Sequence, residues 1–431
     1  MVPSYKYRPQ NVTSIRPFNL ILKMVFSEDL SNLCLWLRVH SHKSHIQLRL
    51  QPVAKKTNLR LALLPMAPLI SLPIWLQMQL DPSGAADRSP GEWDRFLRAS
   101  RREGLLGRFA LQLDELGISQ SLAPKIQDML AAGKATAEQH RRMIRWETDR
   151  IGYALRRCSF PVILLKGAAY LGADLPVSLG RLVSDIDILV AREHLRAVEA
   201  ALLSEGWQHV KPDPYDQRYY RRWMHELPPM RHQMRRTEVD VHHNILPLTA
   251  KLKIDAAALL EAAVPIKDER FRVLAPPDMT LHSAVHLFHD GAFEHGLRDL
   301  LDLDALFSDF GRDTRFWDSL AERAEELGLS RPLFYALDTC NRALGTSVPE
   351  SMLERARAWR PGPLRRRAMD YLVRRQVLRS RIDDTGRENT FSDTLAETRA
   401  HLLRMPLRLL VPHLAHKAML RMAEPKKSYD G

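Results

Sequence analysis

The chain has 431 residues, of which 45% are hydrophobic and 27% are charged, and its formal net charge is +13. This length and apolar content suffice for a sizeable core in two or three globular domains, which excludes a mainly disordered protein. The three cysteines lie far apart in the sequence. This spacing excludes a disulfide framework or a Cys-x-x-Cys site and favours a reducing cytoplasm.

The positive charge is concentrated at the two ends of the chain. Residues 1–80 carry a net charge of +8 and residues 355–431 carry +10, so the region between them is slightly acidic at −5. A slightly acidic middle is poorly suited to following a nucleic-acid backbone, so a nucleic-acid partner stays open but is not favoured. Arginine runs at 365–367 and 374–375 alternate with apolar residues, as is typical of an amphipathic helix with a solvated face.

The first 80 residues are predicted to be a basic extension that is either disordered or wrongly included by the assigned start codon. The apolar stretch 61–76 contains three prolines, which make it a poor membrane span, so we expect no transmembrane segment. Our hypothesis is that translation begins near Met66 or Met78.

Helical patterning becomes regular from Trp93 onward, and glycines stand near the junctions between segments. The predicted helices are 94–104, 105–116, 121–132 and 136–158. Together they predict a helical N-terminal domain over residues 81–157.

A buried strand followed by a glycine turn opens the next region. Residues 161–165 form a continuous apolar run, after which Lys166 and Gly167 precede a predicted helix that begins at Ala168. A strand, a turn and a helix N-terminus in this order present backbone N–H groups to an anion. Gly167 permits a phosphate to approach the backbone closely, and Lys166 or Arg181 can supply positive charge.

The most informative motif is the run Asp185-Ile186-Asp187. Two carboxylates separated by one apolar residue on a strand point to the same side, about 6 to 7 Å apart. Burying such a strand beside two like charges is costly unless a cation neutralises them. A second alternating strand at 238–242 adds Asp240. Because hard oxygen ligands suit Mg²⁺ or Mn²⁺, the three aspartates predict a divalent metal site.

These motifs resemble those of the nucleotidyltransferases of the DNA polymerase β superfamily. The resemblance is carried by the Leu-Lys-Gly-Ala-Ala run at 165–169, by the run 180–190 with its Asp-x-Asp, and by the strand 238–242. It is greatest for the large, mostly uncharacterised bacterial group labelled nucleotidyltransferase family protein, to which the AbiEii-type toxins are related. A His-bearing segment followed by a Leu-Arg-Asp-Leu segment extends the resemblance to about residues 93–310.

The resemblance implies roles for the residues that match the motifs. Asp185 and Asp187 would hold metal, Asp240 would be the third acid, and Gly167 with Ala168 would replace a Gly-Ser or Gly-Gly pair. The residues implied to bind the nucleotide are Lys166, Gly167, Ala168, Arg181 and Ser184.

The predicted function is therefore Mg²⁺- or Mn²⁺-dependent transfer of a nucleoside monophosphate (NMP) from an NTP, such as ATP, to an unidentified acceptor, with release of pyrophosphate. Three alternatives stay open. An AbiEii-like toxin would modify tRNA at the same site, and a biosynthetic enzyme would modify a small molecule or peptide. A non-catalytic binding protein would bind neither metal nor NTP. The sequence specifies no oligomeric state.

Several downstream residues allow two interpretations. His286 and His289 would share a helix face and could bind zinc, but a core or surface pair is favoured because no third ligand has suitable spacing. Arg298 and Asp302 are four residues apart, which favours a helix-stabilising ion pair over a contact with triphosphate or acceptor. His242 either points into the site or lies on an exposed turn.

The predicted fold is α+β, with a small mixed sheet carrying the carboxylates between two helical regions. After the extension and the N-terminal domain, the predicted divisions are a nucleotidyltransferase core at 158–246 and a helical C-terminal domain at 247–431. Within the core, residues 213–236 are predicted to form a loop or irregular hairpin that covers the site.

Overall fold

Helices precede and follow a mixed β-sheet in the computed structural model, which describes residues 74–267, 270–290, 293, 295–378 and 390–423. This architecture confirms the predicted α+β class. Most of the predicted basic extension, including the hypothetical start at Met66, lies outside the described residues. Within the described part of the chain, every helix is too short or too polar to cross a bilayer.

Four helices lead into the sheet. They are α1 (Ile74–Leu80), α2 (Pro90–Arg102), α3 (Leu106–Glu115) and α4 (Pro124–Ala154). A capping box starts α2, because the Ser89 side chain accepts from the Glu92 N–H while the Glu92 carboxylate accepts from the Ser89 N–H. Pro90 occupies the first turn of this helix, where a missing N–H does no harm.

The single helix α4 replaces two predicted helices, so the predicted break near Gly133 is wrong. Gly133 lies inside α4 at its crossing with α3. A Cβ at this position would lie 2.7 Å from Cγ of Leu106, so the glycine is needed for close helix packing rather than for a turn.

The sheet has seven strands among the described residues. They are β1 (Ile163–Leu164), β2 (Ile186–Leu189), β3 (Trp207–His209), β4 (Met230–His232), β5 (Glu238–His242), β6 (Val264–Pro265) and β7 (Arg272–Val273). Their order across the sheet is β3-β4-β5-β2-β1-β7-β6. Strand β2 runs parallel to β5 and β1 runs parallel to β7, while the other pairs are antiparallel. All four residues of β2 are buried, so this central strand is covered on both faces.

Four α-helices connect the strands among the described residues. They are α5 (Lys166–Gly172), α6 (Leu195–Ser204), α7 (Pro214–Trp223) and α8 (Ala256–Glu261). Helix α7 and strand β4 occupy the segment 213–236, where a loop or hairpin was predicted. Strand β4 pairs antiparallel with β5, which lies beyond this segment, so residues 213–236 form neither a loop nor a complete hairpin. The helix forms because the Asp213 side chain accepts from the N–H groups of Tyr215 and Asp216, with Pro214 in the first turn.

Eight α-helices follow the last strand in the described residues, and helix α9 packs against several of them. They are α9 (Pro276–Val285), α10 (Gly296–Phe310), α11 (Arg315–Glu326), α12 (Ser330–Thr339), α13 (Glu350–Arg357), α14 (Pro363–Leu372), α15 (Thr390–Arg404) and α16 (Leu407–Ala423). Helix α9 is buried from its second turn onward and packs against α5, α10, α11 and α12. At its C-terminal end it widens into a π turn at His286–Asp290. Strands β6 and β7 lie within the range 247–431, for which a helical domain is predicted.

A buried carboxylate on α10 ties the N-terminal helices to the sheet. Asp302 accepts from Arg108 Nη2 on α3 at 2.9 Å and from Arg181 Nε, just before β2, at 2.7 Å. The predicted pair between Arg298 and Asp302 is wrong, because Arg298 instead contacts Asp299, 2.9 Å from Nη2 to Oδ1. A spacing of four residues predicts that two side chains are neighbours on a helix, but it does not show which of them faces the core. Here Asp302 faces the core.

We expect Asp302→Ala to lower the free energy of unfolding by about 3 to 5 kcal/mol, because it leaves two largely buried guanidinium groups without their carboxylate. Asp309→Ala on the same helix is the matched control, since its partner Arg312 is 79% exposed and the loss should stay below about 1 kcal/mol. Urea denaturation measures both values. Equal losses of unfolding free energy in the two variants would show that the buried Asp302 ion pairs stabilise the protein no more than an exposed pair does.

Candidate functional site

Two of the three predicted metal-binding carboxylates lie side by side on neighbouring strands. Strands β2 and β5 are parallel, and Asp187 and Asp240 are direct register partners. Residues paired in register on parallel strands point to the same face of the sheet. The structure therefore brings together two carboxylates that are far apart in the sequence.

The third predicted ligand, Asp185, lies just before β2 rather than within it. The Ser184 hydroxyl donates to Oδ1 of Asp185 at 2.9 Å. The negative charge of Asp185 contributes to raising the pKa of both Lys166 and Asp240, so it acts on the same cluster. All three predicted acids are thus part of one electrostatic unit.

Asp187 is buried and is held by two hydrogen-bond donors. Lys166 Nζ lies 3.0 Å and His242 Nε2 lies 2.9 Å from the same oxygen, Oδ1. Burial by itself would raise the pKa of Asp187, but Lys166 and His242 outweigh burial and hold that pKa well below its usual range. Asp187 is therefore ionised, and His242, one of the predicted accessory residues, points into the site and not into solvent.

Asp240 has the opposite electrostatic environment. Burial, followed by the charges of Asp187 and Glu226, raises the pKa of Asp240 well above its ordinary value. Its Oδ1 is buried and has no hydrogen-bond partner among the described residues. A buried carboxylate oxygen without a donor, next to other carboxylates, is a destabilising arrangement that a divalent cation relieves. The donor set is hard oxygen, which fits Mg²⁺ or Mn²⁺.

The turn that carries Lys166 is fixed by close packing. The N–H of Leu165 donates to the backbone carbonyl of Asp187 at 2.9 Å, which places the next residue, Lys166, beside that aspartate. Lys166 has φ of +46°, in the left-handed region that a side chain other than glycine rarely adopts. A Cβ on Gly167 would lie 2.5 Å from Arg181 Nη1. Arg181 is itself held by Asp302, so this buried pair supports the strained turn.

The remaining residues of the predicted nucleotide-binding set are placed as follows. Gly167 and Ala168 are buried at the start of α5, and the space beside Gly167 is filled by the side chains of Arg181 and Val183. Arg181 is buried and bonded to Asp302, so it contacts the turn and not the open pocket. Their predicted contacts with a nucleotide stay predictions.

A pocket of about 220 Å³ opens in front of Lys166 and His242. Its walls include Tyr219, Tyr220, His282, His286 and Arg404. Burial lowers the pKa of His282 well below its ordinary value, so this histidine is neutral. Burial also raises the pKa of Tyr219 to about 12, so that side chain keeps its hydroxyl proton. The pocket thus combines aromatic surface with the basic side chains of Lys166 and Arg404, while Asp185, Asp187 and Asp240 are not among its lining residues.

Sequence patterns did not identify the two tyrosines as site residues, because the prolines and arginines around them favoured a loop. The usable signal was local: an Asp-Pro pair at 213–214 is a helix start. A larger groove of about 310 Å³, between the end of α5 and strands β6 and β7, contains none of the predicted site residues.

The predicted histidine pair and Arg298 lie at the edge of this region. His286 lines the pocket, with Nε2 3.7 Å from Oδ2 of Asp299, whereas His289 is buried. Both lie on the π turn, whose wider spacing separates residues that would share a face of a regular α-helix. The metal-ligand groups found among the described residues include neither histidine, so the zinc pair is not formed. Arg298 is bonded to Asp299.

We expect Gly167→Ala to destabilise the protein by about 1 to 3 kcal/mol, because the added methyl group would overlap Arg181 beneath the Lys166 turn. The matched control is Gly91→Ala in α2, where a Cβ would meet no described atom within 4 Å and helix propensity favours alanine. Urea denaturation of both variants measures the difference. If the Gly167→Ala protein were as stable as the control, the packing of Arg181 against Gly167 would not be as tight as described.

A known protein family matches the part of the chain that contains the carboxylate strands. Residues 89–345, more than half of the chain, match the family described as uncharacterised nucleotidyltransferase. Neither the curated proteins nor the solved structures give a significant match. The matched segment includes both carboxylate strands, the Lys166 turn and helices α9 and α10. This chain therefore belongs to the family of uncharacterised nucleotidyltransferases.

Proposed function

We propose that the protein is a metal-dependent enzyme that transfers an NMP group from an NTP to an acceptor hydroxyl or phosphate and releases pyrophosphate. The observation that carries the proposal is the register pairing of Asp187 with Asp240, beside Asp185. Family membership supports transferase chemistry in general. The narrower assignment to the DNA polymerase β superfamily rests on the motifs and is part of the proposal.

Asp185, Asp187 and Asp240 are the residues that would hold Mg²⁺ or Mn²⁺. The support for this is the unpartnered Oδ1 of Asp240, together with the burial and the neighbouring negative charges that raise the pKa of that residue. Bound divalent ions in such sites neutralise phosphate charge and align the attacking and leaving oxygens. The three carboxylates supply the negative charge that keeps such ions in place.

The other side chains of the site have complementary roles in this proposal. Lys166 lines the pocket and also contacts Asp187, so it would bind the triphosphate as a point charge beside the aspartates. Asp240 would accept the proton of the acceptor hydroxyl, since it lies on the same face of the sheet as Asp187, in direct register with it. Tyr219 and Tyr220 would offer aromatic surface to the base or the acceptor. Ser184 would orient Asp185 through their hydrogen bond.

The buried residues around the turn have a positioning role. Arg181 packs against Gly167 and is anchored by Asp302, so it would hold Lys166 in its left-handed conformation. Such support keeps the charged ammonium group close to Asp187 without a large entropic cost on substrate binding. Ala168 is buried beneath the same turn.

The proposal predicts that Asp187→Asn lowers the Mg²⁺-dependent release of pyrophosphate by about 100-fold or more, because one ligand of the ions loses its charge. The assay combines purified protein, α-labelled NTPs and fractionated cell extract, and follows both pyrophosphate and the labelled product. Asp309→Asn, which lies outside the site, is the control.

Labelled tRNA would identify an AbiEii-type reaction, and a labelled small molecule or protein would identify another acceptor. Undiminished transfer by a folded Asp187→Asn variant would overturn the proposed mechanism.

A second prediction concerns stability. Without Mg²⁺, Asp240→Asn should raise the free energy of unfolding by up to about 1 kcal/mol, because it removes a like charge opposite Asp187. Mg²⁺ with a non-hydrolysable NTP analogue should stabilise the native protein but not this variant. Thermal unfolding with and without ligands measures both effects, and equal stabilisation of the two proteins would contradict the assignment of Asp240.

A further inference from the structure

The segment that follows α7 is fixed against the end of β5 by backbone hydrogen bonds. Glu226 forms an antiparallel bridge with His242, and the Leu227 N–H donates to the Val241 carbonyl at 2.8 Å. The His243 N–H donates to the carbonyl of His225, also at 2.8 Å. The positions of His225 and Glu226 relative to His242 are therefore set by the backbone, before any ligand binds.

His242 presents one ring nitrogen to each of two carboxylates. Its Nε2 is 2.9 Å from Oδ1 of Asp187, while its Nδ1 is 3.4 Å from Oε2 of Glu226. The ring is almost fully buried, and Nδ1 makes no hydrogen bond with any described residue. Burying an imidazole nitrogen without a hydrogen bond costs free energy. Here Nδ1 faces the Glu226 carboxylate at a distance longer than a normal hydrogen bond.

A second imidazole completes the group. The rings of His225 and His242 have their centroids 5.2 Å apart at an interplanar angle of 40°. One potential ligand atom from each of His225, Glu226 and His242 lies within 4.8 Å of the other two. Ligands of a tetrahedral zinc ion with bonds of about 2.1 Å are about 3.4 Å apart, a spacing that small side-chain rotations reach from here.

We infer that His225, Glu226 and His242 form a binding site for a transition-metal ion of the Zn²⁺ class, separate from the three aspartates. Two imidazoles and one carboxylate are the protein ligands of several zinc sites that keep a fourth position open. All three residues line the pocket, so the fourth coordination position of the ion would be accessible from the pocket. Imidazole ligands favour Zn²⁺ over Mg²⁺, whereas the aspartates have the reverse preference.

Asp187 gives this site its orienting group. In zinc sites the second nitrogen of a ligating histidine commonly donates to a carboxylate, which fixes the tautomer and the ring plane. Here the Nε2–H of His242 donates to Asp187, and the lone pair of Nδ1 is left for the metal. Binding requires neutral imidazoles, so any proton on Nδ1 is released to solvent when the ion enters. The inference does not depend on NMP transfer.

The test uses the full-length protein, purified without chelator. Elemental analysis should find about one zinc ion per chain. After replacement by Co²⁺, the sample should show the intense visible absorption of four-coordinate cobalt, which six-coordinate cobalt bound by carboxylates and water lacks. His225→Gln and Glu226→Gln should each weaken binding by at least about tenfold, since each removes a ligand.

Two control variants keep the result specific. Asp240→Asn changes the aspartate centre alone, and His209→Gln removes a histidine that pairs with Glu199 outside the site. Both should retain the ion and its spectrum, and circular dichroism should show that all four variants are folded. A protein without zinc or a cobalt spectrum would overturn the inference, as would retention in folded His225→Gln. Loss in Asp240→Asn alone would place the ion at the aspartates.

The same samples separate this inference from the proposed function. Zinc binding without pyrophosphate release would support the zinc-site inference and contradict only the transferase proposal. NMP transfer supported by Mg²⁺ in a protein that binds no zinc would support the transferase proposal and overturn the zinc-site inference.

Discussion

The register of β2 against β5 is the constraint on which the site depends. The apolar partners on the opposite face, Ile188 with Val241 among them, are buried, and they fix this register. A slip of one residue would turn Asp240 away from Asp187 and expose the apolar set. Hydrophobic burial on one face therefore places like charges together on the other, and the charge cluster cannot relax by moving the strands.

The repulsion is balanced locally by Lys166 and His242, which share one oxygen of Asp187. The strained conformation of Lys166 is supported by Gly167 and Arg181, and Arg181 by Asp302 on α10. A continuous set of contacts thus links the C-terminal helices to the site. Local strain at a functional position persists only where such surroundings determine it.

The sequence predicted the features encoded by local pattern. Alternation of aspartates with β-branched residues identified both carboxylate strands, and the class of the fold followed from the helical periods around them. It failed where tertiary contacts decide: Gly133 packs between helices instead of ending one, and Asp302 pairs across the core instead of with Arg298. The grouping of His225 and Glu226 with His242 depends on a bridge between distant segments, which no local pattern reveals.

The pocket takes part of its wall from segments of the chain outside the carboxylate strands. Helix α7 contributes the tyrosines, and Arg404 comes from α15, beyond the end of the family match at residue 345. Substitutions in these helices can reshape the cavity while the carboxylate cluster keeps its geometry. Under the proposed function, selectivity for the acceptor would therefore be able to change independently of the transfer chemistry, because the two would be carried by different segments of the chain.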